Sequence, residues 1–312
     1  MKPSVTVIIP TYRRADVLPS CLDGLERQTY APLEVITVDQ SPDERTREIV
    51  AARTPRGFAY RYLHSAVAGV SLARNLGLRA SKGSLVAFTE DDAVPEPTWI
   101  EAMVRAFETT DADLVGGKIL PLWEGPRPPW FPESRAYLVG VFDPGKPLSP
   151  FPEGSLPMTG NLVVRRAVVE RLGGFDEQAG PRPGRPISGE DSLFAWNALG
   201  AGFRIFYQPD AVVHHRVPRA RMKRRFYLTR CYREGISLVD VESKRGALTA
   251  DRLDGMLAWH RRNRWRRAFK ALGRLSLAPW NDPKLLEQLG EAALSAGIVA
   301  TCRDVLRGGA PR

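Results

Sequence analysis

Short apolar runs alternate with amphipathic segments through the first part of the chain. Runs rich in Val, Ile and Leu predict buried strands, and apolar residues that recur every three or four positions predict helices. The predicted strands are residues 5–9, 33–38, 58–63 and 85–90, and the predicted helices between them begin near Asp16, Asp43 and Leu72. This short alternation predicts an α/β fold with a parallel sheet flanked by helices. Right-handed crossovers would place the ends of strands one, two and four along one edge.

The pattern changes after residue 110. We predict a strand at 114–120, another at 160–164, and two more at 203–207 and 209–215. Residues 121–157 contain ten of the chain's 26 prolines and several aromatic residues. We expect an ordered loop region there, because aromatic side chains at that density usually pack. Alternatively, these rings could stack on a sugar, but we favour the interpretation that they anchor the loop region to the core.

Three consecutive carboxylates, Glu90, Asp91 and Asp92, follow the fourth predicted strand. Ligands of open α/β sheets bind outside the carboxyl ends of strands. Adjacent negative charges require a positive partner, and hard divalent cations prefer carboxylate oxygens. A solvated acidic turn, with Asp92 and Glu96 serving the N-terminus of the next helix, accounts for this stretch equally well.

The composition is that of a globular protein with a sizeable core: 43% of the 312 residues are hydrophobic and 26% are charged. No apolar run approaches the roughly 20 residues that span a bilayer. The apolar stretch at 5–9 is too short for a signal peptide. Three widely separated cysteines fit a reducing compartment. We therefore expect a cytoplasmic protein.

The net charge of +10 is concentrated at the C-terminal end. Residues 216–312 hold 22 Lys and Arg against 9 Asp and Glu, whereas residues 1–215 hold 23 against 26. We predict a main domain at 1–215 and a basic helical extension at 216–312.

The extension is interpreted first as a solvated helical face. Binding to the inner face of an anionic membrane comes second, because aromatic and apolar residues interleave with arginines there; these residues are Trp259, Trp265, Phe269 and Leu272. Nucleic-acid binding comes third, since no recognisable motif supports it.

Several short motifs occur in the order typical of one enzyme family. They are the opening strand and turn at 5–12, Gln28-Thr29-Tyr30, the strand closing on Asp39, the helix segment 71–77, Glu90-Asp91-Asp92, Gly173-Gly174-Phe175-Asp176, Gly189-Glu190-Asp191 and the strand at 209–215 ending in His. Together they resemble the inverting family 2 glycosyltransferases, which have the GT-A fold, over about residues 4–216. The resemblance implies a nucleotide-binding half at 1–110 and an acceptor half at 111–215.

The resemblance also implies a reaction and roles for individual residues. A sugar would pass from a nucleotide-sugar donor, UDP-linked, to a hydroxyl of a glycan, a lipid-linked or a small-molecule acceptor, with inversion and with Mn²⁺ or Mg²⁺ as cofactor. Asp191 would be the general base that the acceptor hydroxyl needs. Asp92 and His215 would bind the metal, with the adjacent His214 a weaker candidate. The nucleotide would contact Pro10, Thr11, Tyr12, Asp39, Arg74, Glu90 and Asp91. The donor sugar or acceptor would contact Gly160, Asn161, Glu190 and Trp130.

The sequence departs from the family pattern at three positions. Glu90 stands where the family usually has Asp, Gln40 where a second acid commonly follows Asp39, and Arg13 where Asn is frequent. The longer side chain of Glu90 affects the metal dependence that we expect. Gln40 and Arg13 affect the expected choice of nucleotide.

Two other functions compete. A sugar nucleotidyltransferase would have a Gly-rich loop after the first strand, and residues 10–14 contain no glycine. An inactive GT-A domain that binds membranes or nucleic acid through its basic tail would not need Asp92, Asp191 and His215 intact.

Overall fold

The computed structural model describes residues 2–31, 33–54, 58–275 and 281–307. The side chains of residues 264, 268, 272 and 275 are not among those described, so the predicted contribution of Leu272 to an amphipathic face lies outside this part. Contacts divide the chain into two units. The first comprises Met1–Leu122, Val141–Pro183 and Glu190–Arg216, and the second comprises Trp123–Gly140, Gly184–Gly189 and Val217–Arg312. The predicted domains at 1–215 and 216–312, and the two predicted halves of the first, stay predictions.

The first unit is built on a mixed sheet. Its strands are β1 (Val5–Thr11), β2 (Leu33–Asp39), β3 (Phe58–His64), β4 (Leu85–Thr89), β5 (Ala93–Pro95), β6 (Leu114–Trp123), β7 (Ser149–Pro150), β8 (Asn161–Arg165) and β9 (Ile205–Val217). Their order is β3-β2-β1-β4-β8-β6-β9-β5, and β7 pairs with β9. The first four strands are parallel, as predicted, whereas β8 pairs antiparallel with β4 and β5 pairs antiparallel with β9.

Helices cover both faces of this sheet. They are α1 (Leu18–Glu26), α2 (Arg45–Ala51), α3 (Val70–Ala80), α4 (Trp99–Thr109), α5 (Arg166–Leu172) and α6 (Glu190–Gly200). Strand β1 is buried along its whole length. Val7 and Ile9 join one core cluster and Ile8 joins the other, because successive side chains of a strand point to opposite faces. A Cβ at Gly77 would lie 2.5 Å from Ile8 Cγ2, so α3 packs directly on β1. The predicted α/β class is confirmed.

Two features of the sheet differ from the sequence-based prediction. Strand β9 is continuous from Ile205 to Val217, where two strands were expected. The short strand β5 directly follows the three acids, where a helix start was one interpretation. Helix α4 begins only at Trp99 and its N-cap position is Thr98, so the interpretation of Asp92 as a helix cap is wrong.

Asn161 connects three elements of the first unit through its side chain. Trp99 Nε1 donates to Asn161 Oδ1 at 2.7 Å, and Asn161 Nδ2 donates to the carbonyl oxygens of Lys118 and Ala211, both at 2.8 Å. Asn161 is only 1% exposed, so water cannot readily replace the amide if it is removed. The Trp99 N–H and the two carbonyl oxygens would then each lose a hydrogen bond. We expect Asn161→Ala to lower the free energy of unfolding by about 3 kcal/mol, measured by urea denaturation. The exposed Asn197→Ala should change it by less than about 0.5 kcal/mol, and equal losses in the two variants would contradict this role for Asn161.

The second unit is mainly helical. It contains α7 (Arg224–Lys244), α8 (Ala250–Leu275), α9 (Pro283–Leu306) and two 3₁₀ helices, Glu133–Val139 and Arg219–Met222. A Cβ at Gly235 would lie 2.1 Å from the carbonyl oxygen of Leu294, so glycine allows α7 and α9 to approach closely. The predicted C-terminal helical region is confirmed. None of the described helices combines the length and apolar composition needed to cross a bilayer.

The aromatic residues of 123–140 pack inside the second unit. The rings of Trp130 and Phe131 lie 6.1 and 5.7 Å from the ring of Tyr227, between centroids. Arg224 lies over the Trp130 ring, 5.2 Å from its centroid. Trp130 is only 5% exposed, so its indole anchors this segment to α7.

Candidate active site

Polar side chains gather where the parallel strands of the first unit end. Thr11, the last residue of β1, is in register with Asp39, the last residue of β2. Thr89 ends β4, and the three acids follow it. Because parallel strands present their carboxyl ends at one edge of a sheet, these residues belong to a single edge, as predicted.

Glu90, Asp92 and His215 form a cluster that could hold a metal ion. Each offers one ligand atom, and these atoms all lie within 4.8 Å of one another. His215 Nε2 is 3.4 Å from Asp92 Oδ1 and 3.6 Å from Glu90 Oε2. The pairing of β5 with β9 brings His215 here, since Ala93 lies opposite His215.

His214 has a different partner. Neighbouring residues of a strand point to opposite faces, and His214 Nε2 lies 2.9 Å from Glu96 Oε1. The described contacts therefore place His215, and not His214, beside Asp92.

The charges of this cluster favour a cation. Burial alone would lower the pKa of His215, but the carboxylates of Asp92 and Glu90 outweigh it and raise that pKa to about 9. Burial alone would raise the pKa of Asp92, but His215 and Arg14 outweigh it and hold that pKa below its ordinary value. Two carboxylate oxygens and one imidazole nitrogen fit a divalent metal ion, which would replace the proton of the His215 imidazole.

Arg14 was not among the predicted site residues. Its Nη1 lies 3.0 Å from Asp91 Oδ1, and it also forms an ion pair with Asp92. Thr11 Oγ1 donates to the other oxygen of Asp91 at 2.7 Å. The sequence signal was the need for positive charge beside three acids, and Arg14 in the turn after β1 supplies part of it. Burial raises the pKa of Asp91 to about 7, with Arg14 opposing the rise.

Arg74 connects the metal cluster with the start of α6. It projects from α3 and is buried. Its Nη1 donates to Glu190 Oε1 at 2.8 Å, and its Nη2 lies 3.9 Å from Glu90 Oε1. Its Nε has no hydrogen-bond partner among the described residues. With 1% of its surface exposed, Arg74 is not a solvated residue of the helix surface.

Asp191 stands beside Glu190 in the first turn of α6. Burial raises the pKa of Asp191 to about 7, the charge of Glu190 adds to the rise, and Arg74 opposes it. The backbone N–H of Ser192 donates to Asp191 Oδ1 at 2.8 Å. A carboxylate with a pKa close to neutral is suited to accept a proton.

The predicted nucleoside residues lie at the ends of β1 and β2. Pro10 and Thr11 are the last two residues of β1, and Tyr12 follows them. Asp39 is buried, and its carboxylate accepts from Tyr62 Oη and from the backbone N–H of Ser41, both at 2.9 Å.

Gln40 and Arg13, two of the three residues that depart from the family pattern, lie next to these predicted nucleoside residues in the chain. Gln40 accepts from the N–H of Gly69 at 3.0 Å and donates to the carbonyl oxygen of Val67 at 2.6 Å, which ties β2 to the loop before α3. Arg13 has a φ of 54°, an unusual conformation for a residue other than glycine, and its guanidinium lies over the Tyr12 ring.

The predicted sugar and acceptor residues have different surroundings, each described within its own unit. The carbonyl oxygen of Gly160 accepts from Thr89 Oγ1 at 3.1 Å, next to the acids, and Glu190 is bound to Arg74. The side chain of Asn161 is engaged within the core of the first unit, and Trp130 belongs to the second unit. The roles assigned to all four residues stay predictions.

The fold is that of the GT-A-type glycosyltransferases. The whole chain aligns with 77% of a mannosyltransferase from Pyrobaculum calidifontis, solved in complex with GDP-Man and Mn²⁺, at a TM-score of 0.54 and 20% identity. Residues 6–173 match the model of glycosyl transferase family 2. The chain belongs to this family and is a glycosyltransferase, which confirms the predicted family and enzyme class.

Two curated relatives cover most of the chain. A glucosyl-dolichyl phosphate glucuronosyltransferase of Haloferax volcanii is 27% identical over 239 residues, which are 76% of each chain. The succinoglycan biosynthesis protein ExoM of Rhizobium meliloti is 27% identical over 260 residues, 82% of this chain and 79% of the relative.

Proposed function

We propose that this glycosyltransferase moves a sugar from a UDP-linked donor to an acceptor hydroxyl in a single displacement with inversion. The observation that carries the proposal is the arrangement around Arg74. This one buried guanidinium contacts Glu190, the neighbour of the candidate base Asp191, and lies close to Glu90 of the candidate metal cluster.

Glu90, Asp92 and His215 would hold the divalent ion. When bound, the ion supplies electrostatic stabilisation of the negative charge on the departing diphosphate. A nitrogen ligand favours Mn²⁺ over Mg²⁺, which binds oxygen almost exclusively. Mn²⁺ is also the metal in the complex of the structurally similar mannosyltransferase.

Asp191 would act on the acceptor. As the acceptor oxygen forms its bond to the anomeric carbon, the bond from that carbon to the diphosphate oxygen breaks. The hydroxyl proton passes to the Asp191 carboxylate, which must therefore be ionised. Attack opposite the leaving group inverts the anomeric centre. Thr11, Tyr12 and Asp39 would contact the nucleoside at the ends of β1 and β2.

The acceptor would be a growing glycan or a lipid-linked sugar, in the synthesis of a cell-surface polysaccharide or glycolipid. Support comes from the names of the relatives, one of which acts on a glucosyl-dolichyl phosphate and the other in succinoglycan biosynthesis.

A thermal-shift panel tests this function. UDP, GDP, their common sugar derivatives, and UTP or GTP together with a sugar 1-phosphate would each be added with Mn²⁺, with Mg²⁺ or with EDTA. We expect one nucleotide family to raise Tm by about 5 °C at a hundredfold excess over Kd, and only with metal. Stabilisation by a nucleoside triphosphate together with a sugar phosphate, with release of pyrophosphate, would instead support a nucleotidyltransferase. No stabilisation by any nucleotide would support a binding module.

We further propose that helix α8 contacts anionic membranes. Three large apolar side chains, Trp259, Trp265 and Phe269, are 51%, 59% and 68% exposed. The exposed residues Arg261, Arg262 and Arg266 lie among them. Arg267, which belongs to the same basic run, is turned inward, where it donates to Ser295 Oγ at 2.7 Å and pairs with Glu291. Exposed aromatic residues interspersed with arginines fit the headgroup region of an anionic bilayer.

Neutralising the exposed arginines should release the protein from vesicles. With phosphatidylglycerol–phosphatidylcholine vesicles, we expect Arg261→Gln, Arg262→Gln and Arg266→Gln together to weaken binding about 100-fold in sedimentation, at about 1 kcal/mol per charge. Replacement of three exposed arginines of the first unit, Arg45, Arg47 and Arg79, makes the same change in net charge and should weaken binding far less. Equal losses of vesicle binding in the two variants would show that only the net charge matters. No loss in the α8 variant would show that this face of α8 is simply solvated.

A further inference from the structure

The segment Gly184–Gly189 ends immediately before Glu190 and Asp191, and it groups with the C-terminal helices. We propose that helix α7 is a positioning element for Asp191, which acts by anchoring this segment. The proposal rests on the proposed role of Asp191 as general base, and it gives the C-terminal extension a part in catalysis.

The first anchor is a shielded ion pair. Arg185 Nη2 lies 2.8 Å from Asp240 Oδ1, and the two side chains are 15% and 5% exposed. Removing one partner of such a pair leaves the other charged and poorly solvated, so the two side chains strongly prefer to stay together. This pair ties the beginning of the segment to the C-terminal part of α7.

The second anchor lies one helical turn away on α7. Ser237 is three residues before Asp240 and therefore lies on the same face of the helix. Its Oγ accepts from the backbone N–H of Ser188 at 3.1 Å. Arg230, two turns earlier, donates to Ser188 Oγ at 3.2 Å. The main chain and the side chain of Ser188 are thus both held by α7.

The third anchor is close packing at the end of the segment. Gly189 has a φ of 125°, and a Cβ there would lie 2.6 Å from Val241 Cγ2. Only glycine allows the backbone to lie this close to the helix. The next peptide bond leads to Glu190, so the backbone from which Asp191 projects starts at an anchored residue.

Such anchoring has a chemical consequence. A general base must lie within hydrogen-bond reach of the acceptor hydroxyl, and a displacement of about 1 Å can reduce the rate about 100-fold. Arg185, Ser237 and Asp240 are therefore positioning residues that act through the backbone of residues 185–189.

Variants of the ion pair test the proposal in the full chain. We expect Asp240→Asn and Arg185→Met each to lower kcat about 10- to 100-fold with the donor selected by the thermal-shift panel. The Kd of the nucleotide with Mn²⁺ should stay within about twofold, because no anchor lies in the candidate metal cluster. Arg185→Lys, which keeps the charge, should restore part of the lost kcat. Glu242→Gln is the matched control, since Glu242 pairs with Arg245 and Arg252 on the same helix bundle.

Amide hydrogen exchange supplies a readout that does not depend on turnover. In Asp240→Asn, exchange should accelerate at residues 185–189 and also at 190–192, where the Ser192 N–H is bonded to Asp191. Acceleration confined to 185–189, or a kcat equal to that of Glu242→Gln, would overturn the proposal. If Asp240→Asn does not fold, Ser237→Ala removes the second anchor and must give the same two results. A wild-type protein without any transfer would refute the proposed function, while the exchange pattern would still decide whether α7 orders residues 190–192.

Discussion

Replacement of Asp191 with Asn should abolish sugar transfer while leaving nucleotide binding nearly unchanged. The amide has the shape of the carboxylate but cannot accept the acceptor's proton, so we expect kcat to fall about 10³- to 10⁴-fold. The Kd of the nucleotide with Mn²⁺ should stay within about twofold, measured by titration calorimetry. Asp210→Asn, at an exposed carboxylate paired with Arg105, should keep full activity. Full activity of Asp191→Asn would remove Asp191 as the base.

The same residue should determine the pH dependence of the reaction. A carboxylate with a pKa of about 7 is half protonated at pH 7, and only its ionised form can accept a proton. The rate of the wild-type enzyme should therefore fall about tenfold for each pH unit below this value, and level off above it. A rate that stays constant down to pH 5 would show that the base is not Asp191.

Replacement of Asp92 with Ala should remove the metal dependence of nucleotide binding. Asp92 supplies one of the three ligand atoms of the metal cluster, which lie within 4.8 Å of one another. Its side chain is also less exposed than those of Glu90 and Asp91. We expect the affinity for nucleotide in the presence of Mn²⁺ to fall at least about 100-fold, to the value that the wild type shows in EDTA.

Two controls sharpen this measurement. His214→Ala changes the residue adjacent to His215 but removes only a contact with Glu96, so Mn²⁺-dependent affinity should be retained. Glu90→Asp introduces the residue usual in the family. It tests whether the longer side chain of Glu90 changes the affinity for the metal. An Asp92→Ala variant with unchanged Mn²⁺-dependent affinity would contradict the assignment of the cluster.

The parallel half of the sheet could be predicted because its signals are local. Strand β1 is buried on both faces and is therefore almost continuously apolar, which gives a pattern that the sequence shows directly. The end of α5 at Gly173, which has a φ of 77°, follows the usual preference for glycine after a helix. The ends of β1, β2 and β4 meet at one edge because parallel pairing leaves no other arrangement.

The features that sequence reasoning missed depend on contacts between distant residues. Strand β5 is only three residues long and exists because it pairs with β9, more than a hundred residues later in the chain. The contact of Arg14 with Asp91 requires the neighbouring positions of β1 and β4. Nothing near Arg185 in the sequence indicates that its partner is Asp240 of a helix in the basic extension.

The anomeric configuration of the first product tests the central claim, direct displacement assisted by Asp191, most directly. The donor selected by the thermal-shift panel would be incubated with the enzyme and Mn²⁺, with water as acceptor where no other is known, and followed by ¹H NMR before mutarotation. From an α-linked donor we predict that the β-anomer appears first, and that it does not appear with Asp191→Asn. An α-anomer appearing first would contradict single displacement and the role assigned to Asp191.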